Sequence, residues 1–132
     1  MWKNIVKESD KTVILDTNVI LRYLLNDIEE QTLLAENIFK TRKFVIPIEV
    51  MAEVIYILTK FYKQPKNEAV DGILYFMGEM KYSDIYLETA LKTYKSKNLD
   101  FVDCVLFAYG HNEYYEIFTF DKKLNKLLSG EL

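Results

Sequence analysis

The sequence predicts an α/β fold, a three-layer α/β/α arrangement around a short, mainly parallel central sheet. Three observations predict it. Short apolar runs, partly β-branched or aromatic, at residues 13–15, 44–46 and 117–120 read as strands. Each is followed by residues with helical apolar spacing, and such alternation implies parallel strands with helices over both faces. The first and last runs stop on a carboxylate, at Asp16 and Asp121. In an open parallel sheet, ligands bind in the crevice beyond the carboxyl ends of the strands.

The totals agree with that class. A chain of 132 residues is long enough for one domain with a real core, so residues 1–132 are expected to form a single unit. Half the residues are hydrophobic and 28% are charged, which argues for a globular chain rather than a disordered one. No apolar run approaches the roughly 20 residues of a membrane span. Residues 1–10 mix Lys3, Lys7, Glu8 and Asp10 without a signal peptide's apolar centre, so they read as a polar lead-in. The lone Cys104 excludes an internal disulfide and fits a reducing, cytoplasmic setting. A formal net charge of −3 argues against a broad phosphate-binding surface. It leaves a metal-dependent nuclease open, because a bound cation brings its own positive charge.

Val13, Ile14 and Leu15 form the first strand, expected to be buried on both faces. Thr17 and Asn18 suit a helix start, and Val19, Ile20, Tyr23 and Leu24 continue with helical spacing. Asp27 with Glu30 three residues later resembles a capping box for a second helix, marked by Leu33, Leu34 and Ile38 and ending near Arg42 and Lys43. Phe44, Val45 and Ile46 form the second strand, closed by Pro47. A third helix over residues 48–62 is apolar around most of its circumference, with Glu49, Glu53, Tyr56 and Lys60 in one polar stripe. Gln64 and Pro65 end it, and residues 66–80 form another helix despite Gly72 and Gly78. Residues 82–86 read either as a brief strand or as the start of a Ser83-capped helix reaching about Lys97. Asp100 stands at an N-cap position before the next helix. Asp103 lies in its first turn, in a polar gap shared with Gly110. Residues 117–120 are the third strand, and residues 122–128 the last helix.

Asp16, Glu53, Asp103 and Asp121 would then gather near one end of the sheet. Taken singly, Asp16, Asp100 and Asp121 suit helix caps, the commoner use of Asp before a helix. Asp103 suits a first-turn acid, and Glu53 a solvated one. Taken together, four close carboxylates repel one another unless protonated, paired with bases or bound to a cation. A hard divalent ion with all-oxygen ligands, Mg²⁺ or Mn²⁺, is the natural partner. His111 reads as a surface residue and Cys104 as a buried structural one. Glycine is too scarce for a phosphate-cradling loop.

These residues resemble the PIN-domain ribonucleases, and most closely the VapC-like toxins of type II toxin–antitoxin pairs. The run Val-Ile-Leu-Asp16-Thr-Asn-Val-Ile-Leu looks like the family's opening block, and Pro47-Ile-Glu-Val-Met-Ala-Glu53 like its second. Leu-Asp100-Phe-Val-Asp103-Cys-Val-Leu resembles the third block, and Phe-Thr119-Phe-Asp121 the fourth. The resemblance implies Mg²⁺- or Mn²⁺-dependent endonucleolytic cleavage of RNA, with one or two ions held by Asp16, Glu53, Asp103 and Asp121. It gives Thr17, Asn18, Asp100 and Thr119 supporting roles. It also implies an antitoxin partner and a homodimer. One departure stands out: many relatives carry a further acid two residues after the last motif aspartate, where this chain has Lys123. Two other readings stay open at this stage. One is a PIN-like interaction module without turnover. The other is an aspartate-nucleophile phosphohydrolase, which usually wants a second acid where Asn18 stands.

Overall fold

The computed structural model describes residues 11–112 and 114–131. The expected lead-in over residues 1–10 lies outside the described residues. Strand β1 (Val13–Ile14) leads into helix α1 (Thr17–Leu25), followed by α2 (Glu29–Thr41) and strand β2 (Phe44–Val45). Helix α3 (Ile48–Tyr56) runs on through one π-helical turn (Ile57–Phe61). Then come α4 (Lys66–Glu79), α5 (Ile85–Ser96), α6 (Phe101–Gly110) and α7 (Lys122–Leu128).

The sheet is parallel and two-stranded, with Val13 opposite Phe44 and Ile14 opposite Val45. Its ladder extends by the bonds Val13 N–H to Lys43 O at 2.9 Å and Leu15 N–H to Val45 O at 3.1 Å. At the exit of β2, the Ile46 N–H donates to the Tyr82 hydroxyl at 3.0 Å, and Phe44 stacks on the Tyr82 ring. That anchors Pro47, whose carbonyl accepts from Val50 and Met51 and starts α3. Buried Ile20, Met51, Val54, Leu58, Ile73, Phe76, Leu87 and Leu91 belong to one continuous core. Each side chain removed from water in this way contributes about 1.5–3 kcal/mol before entropy is counted.

Several local expectations need correction. Residues 117–120 form no strand. The Thr119 hydroxyl accepts from the Asp121 N–H at 3.0 Å, and its carbonyl accepts from the Asn125 side chain at 2.9 Å. The start of α7 thus takes groups that a ladder would need, and Phe118 and Phe120 stand 85% and 89% exposed. Nor is β1 buried on both faces: Leu15 is buried, but Ile14 is 71% exposed. The capping box at Asp27 does not form, because the Arg22 guanidinium binds that carboxylate at 2.9 Å. Ile28 stands at the N-cap without a side-chain bond, leaving Glu29 and Glu30 to complement the helix dipole. The stretch before α5 is not a strand, and Asp84 rather than Ser83 caps the helix, accepting from the Tyr86 and Leu87 N–H groups.

Candidate functional site

Four helices position the four acids, and they touch in series. Helix α1 packs on α3, α3 on α6, and α6 on α7. Asp16 stands at the start of α1, Glu53 within α3, Asp103 in the first turn of α6, and Asp121 at the start of α7.

Two of these acids do cap helices. Asp16 Oδ1 accepts from the Val19 N–H at 3.1 Å, and Asp121 Oδ1 accepts from the Leu124 N–H at 2.7 Å. An ionised carboxylate has lone pairs on both oxygens, so a cap engages only part of its capacity. Each Oδ2 has no protein partner among the described residues. The cap and ligand roles are therefore compatible at both positions.

The start of α6 differs. Asp100 has the backbone geometry of an N-cap, but its side chain makes no capping bond. Asp100 thus holds the N-cap position through its backbone alone, its carbonyl accepting from the Cys104 N–H at 3.1 Å. Asp103 is half-buried and has neither a hydrogen bond nor an ion pair among the described residues. Its carboxyl is held above its ordinary value, first by burial, then by the negative charges of Asp121 and Asp100. Those three carboxylates feel one another. Lys123 keeps α7 close to this loop: its ammonium donates to the Asn98 carbonyl at 2.8 Å, two residues before Asp100. Lys123 therefore ties α7 to the entry of α6.

A second close approach fixes the same corner. A Cβ added at Gly110 would lie 2.7 Å from both Ile117 Cγ1 and Leu128 Cδ2. Glycine there lets the end of α6 meet the segment that delivers Thr119 and Asp121. Next to Asp103, burial pushes the Cys104 thiol up to about 12, with the charge of Asp103 adding to the effect. A thiol so held is not a nucleophile at neutral pH.

The supporting residues divide. Thr119 orders the backbone at Asp121. Thr17 is half-buried at the first position of α1, and Asn18 is exposed beside it. Asp16 and Asn18 also line a groove of about 350 Å³ with Val19, Arg22, Leu34 and Ile38. That groove is largely apolar and includes none of Glu53, Asp103 and Asp121, so it is not where the acids meet.

The donor set suits a hard divalent ion, and crowded negative charge around half-buried Asp103 is the electrostatic condition that such an ion relieves. Convergence is incomplete. Among the described residues, no three Asp, Glu, His or Cys side chains are placed to hold one ion together. The structure links Asp103, Asp121 and Asp100 electrostatically, while Glu53 stands exposed on the neighbouring helix and Asp16 on the helix beyond.

Asp16 and Asp121 thus stand at helix starts, Asp103 in a first turn and Glu53 within a helix, around a short parallel sheet. The PIN domain family model matches residues 13–127, nearly the whole chain. The protein belongs to the PIN-domain family, whose members are generally nucleases that bind divalent metals. Comparisons with curated proteins and with solved structures gave no match. Among the described residues, no helix is long and apolar enough to cross a membrane.

Proposed function

We propose that this protein is a single-domain endoribonuclease that hydrolyses RNA phosphodiester bonds with Mg²⁺ or Mn²⁺. Asp16, Glu53, Asp103 and Asp121 would hold the metal, supported by Thr17, Asn18, Asp100 and Thr119. The observation that carries the reading is the state of Asp103 within a PIN domain: half-buried, without a hydrogen-bonding partner among the described residues, and raised first by that burial and then by Asp121 and Asp100. Such a group costs folding free energy and is rational where a cation is to be bound.

When bound, a divalent ion activates water and neutralises charge on the phosphate. The chain's own residues do the rest. Asp103 and Asp121 supply paired negative charge at the α6–α7 corner, and Lys123 and Gly110 hold that corner together. The caps at Asp16 and Asp121 fix one oxygen of each carboxylate and so orient the other. The similarity of the motif blocks to VapC-like sequences supports a cytoplasmic toxin of a type II pair, working as a homodimer and restrained by an antitoxin.

The test is cleavage of single-stranded and stem–loop RNA by the purified protein with Mg²⁺ or Mn²⁺. Activity is expected to vanish with EDTA and in Asp103→Asn and Asp16→Asn. Full-rate cleavage by both variants overturns the site assignment. One observation favours a second reading, an interaction module without turnover: no three metal-competent side chains gather among the described residues. A correctly folded protein that binds no divalent ion by calorimetry would select that reading. The phosphohydrolase reading gains nothing, since Asn18 remains where its second acid belongs.

A further inference from the structure

We infer that the outer face of α3 and its π-helical turn is a stacking platform for single-stranded nucleic acid, leading away from the candidate centre. Tyr56 is 64% exposed and Phe61 74% exposed, and Phe61 packs edge-on against exposed Tyr62 with ring centroids 5.0 Å apart. Exposed rings gathered in one patch, unlike single ones, mark a surface that a partner covers. Glu53 lies one helical turn before Tyr56, so the platform begins beside a proposed ligand.

The π-turn assembles this face. In a regular α-helix, Phe61 would point about 140° away from Tyr56. Here the Tyr62 N–H donates to the Ile57 carbonyl at 3.0 Å, an i to i+5 bond. A π-turn brings residues five apart into rough alignment, carrying Phe61 round toward the side of Tyr56. Lys63 then takes a left-handed conformation (φ 58°), and the Gln64 N–H closes the turn on the Leu58 carbonyl at 2.9 Å.

Charge selects the occupant. In Lys60-Phe61-Tyr62-Lys63 two adjacent rings are flanked by cations, and no acid intervenes between Glu53 and Glu68. Lys60 and Lys63 are exposed and make no ion pair among the described residues. On a chain of net charge −3 this is a locally positive, ring-bearing strip. Single-strand binding combines these two elements, cations for the phosphates and aromatic faces for the bases.

The inference rests on the nucleic-acid reading above but is tested apart from it. Binding of a fluorescein-labelled 12-nucleotide single-stranded oligouridylate is followed by anisotropy, with EDTA present so that no strand is cut. Tyr56→Ala and Phe61→Ala are each expected to weaken binding about tenfold, while Phe61→Trp keeps the affinity and its indole emission is quenched by RNA. Lys60→Ala and Lys63→Gly (glycine because of the left-handed backbone) should each flatten the salt dependence by about 0.7 in log–log slope. No binding by the wild-type chain, or wild-type affinity in both alanine variants, overturns the inference; the latter result would leave the face to a protein partner. Cleavage that persists while the alanine variants bind normally refutes this platform alone. Ring-dependent binding without cleavage in Mg²⁺ or Mn²⁺ refutes the nuclease proposal alone.

Discussion

The β1–α1 junction and the entry to α6 each present an aspartate at the start of a helix, and they use it in opposite ways. Asp16 is exposed and caps its helix, so its charge serves the fold whatever else it does. Asp103 is half-buried, caps nothing and sits in the field of Asp100 and Asp121. The first carboxylate has a structural reason to exist. The second lies in the first turn of its helix, where its charge complements the helix dipole, but no side-chain bond holds it.

Asp103→Asn is expected to lower RNA cleavage by about a thousandfold, since a lost metal ligand removes several kcal/mol of transition-state stabilisation. Single-turnover rates at saturating Mg²⁺ check it. Next in size is the corner that holds Asp121 near Asp103. Gly110→Ala forces a methyl against Ile117 and Leu128 and should destabilise the chain by about 1–3 kcal/mol in urea unfolding. If stability is unchanged, the corner is looser than its contacts imply.

The Asp16 side of the comparison is tested by two substitutions. Asp16→Ala should cost about 1 kcal/mol of stability, whereas Asp16→Asn, an equally good N-cap, should cost little and still lose activity. Equal stability losses would show that charge rather than capping stabilises α1. The smallest effect belongs to Asp103 and has the opposite sign. Its folded-state value lies above the ordinary 3.8, so the native chain holds this proton more tightly than the unfolded chain. That contribution is fully present below 3.8 and is lost as pH rises through the folded value. Asp103→Asn should therefore leave stability at neutral pH unchanged or slightly higher, measured by thermal unfolding without metal. A clear loss of stability would mean that Asp103 has a structural partner.

Much of this was legible in the residues. Helical spacing located every long helix, and Asp16 and Asp121 could be placed at helix starts because Asp before an apolar-periodic stretch is a strong local signal. What local pattern could not carry was competition. Asp27 suits a cap until Arg22, five residues earlier, claims it. Residues 117–120 form a short apolar, aromatic run as a strand would, yet Thr119 is engaged by α7. Asp100 looked like a cap, but its side chain makes no capping bond. The π-turn after Tyr56 leaves no sequence mark, so the stripe drawn with α-helical spacing missed Phe61. The acids themselves were named from sequence, but their unequal surroundings emerged only from packing.

The most direct measurement is paramagnetic broadening of amide signals by substoichiometric Mn²⁺ on the isotope-labelled protein. Broadening is expected to centre on Asp103, Asp121 and Asp100, to extend to Asp16 and Glu53, and to vanish in Asp103→Asn. Broadening confined to other exposed acids, such as Asp71 or Glu30, or none at all, would contradict this metal site.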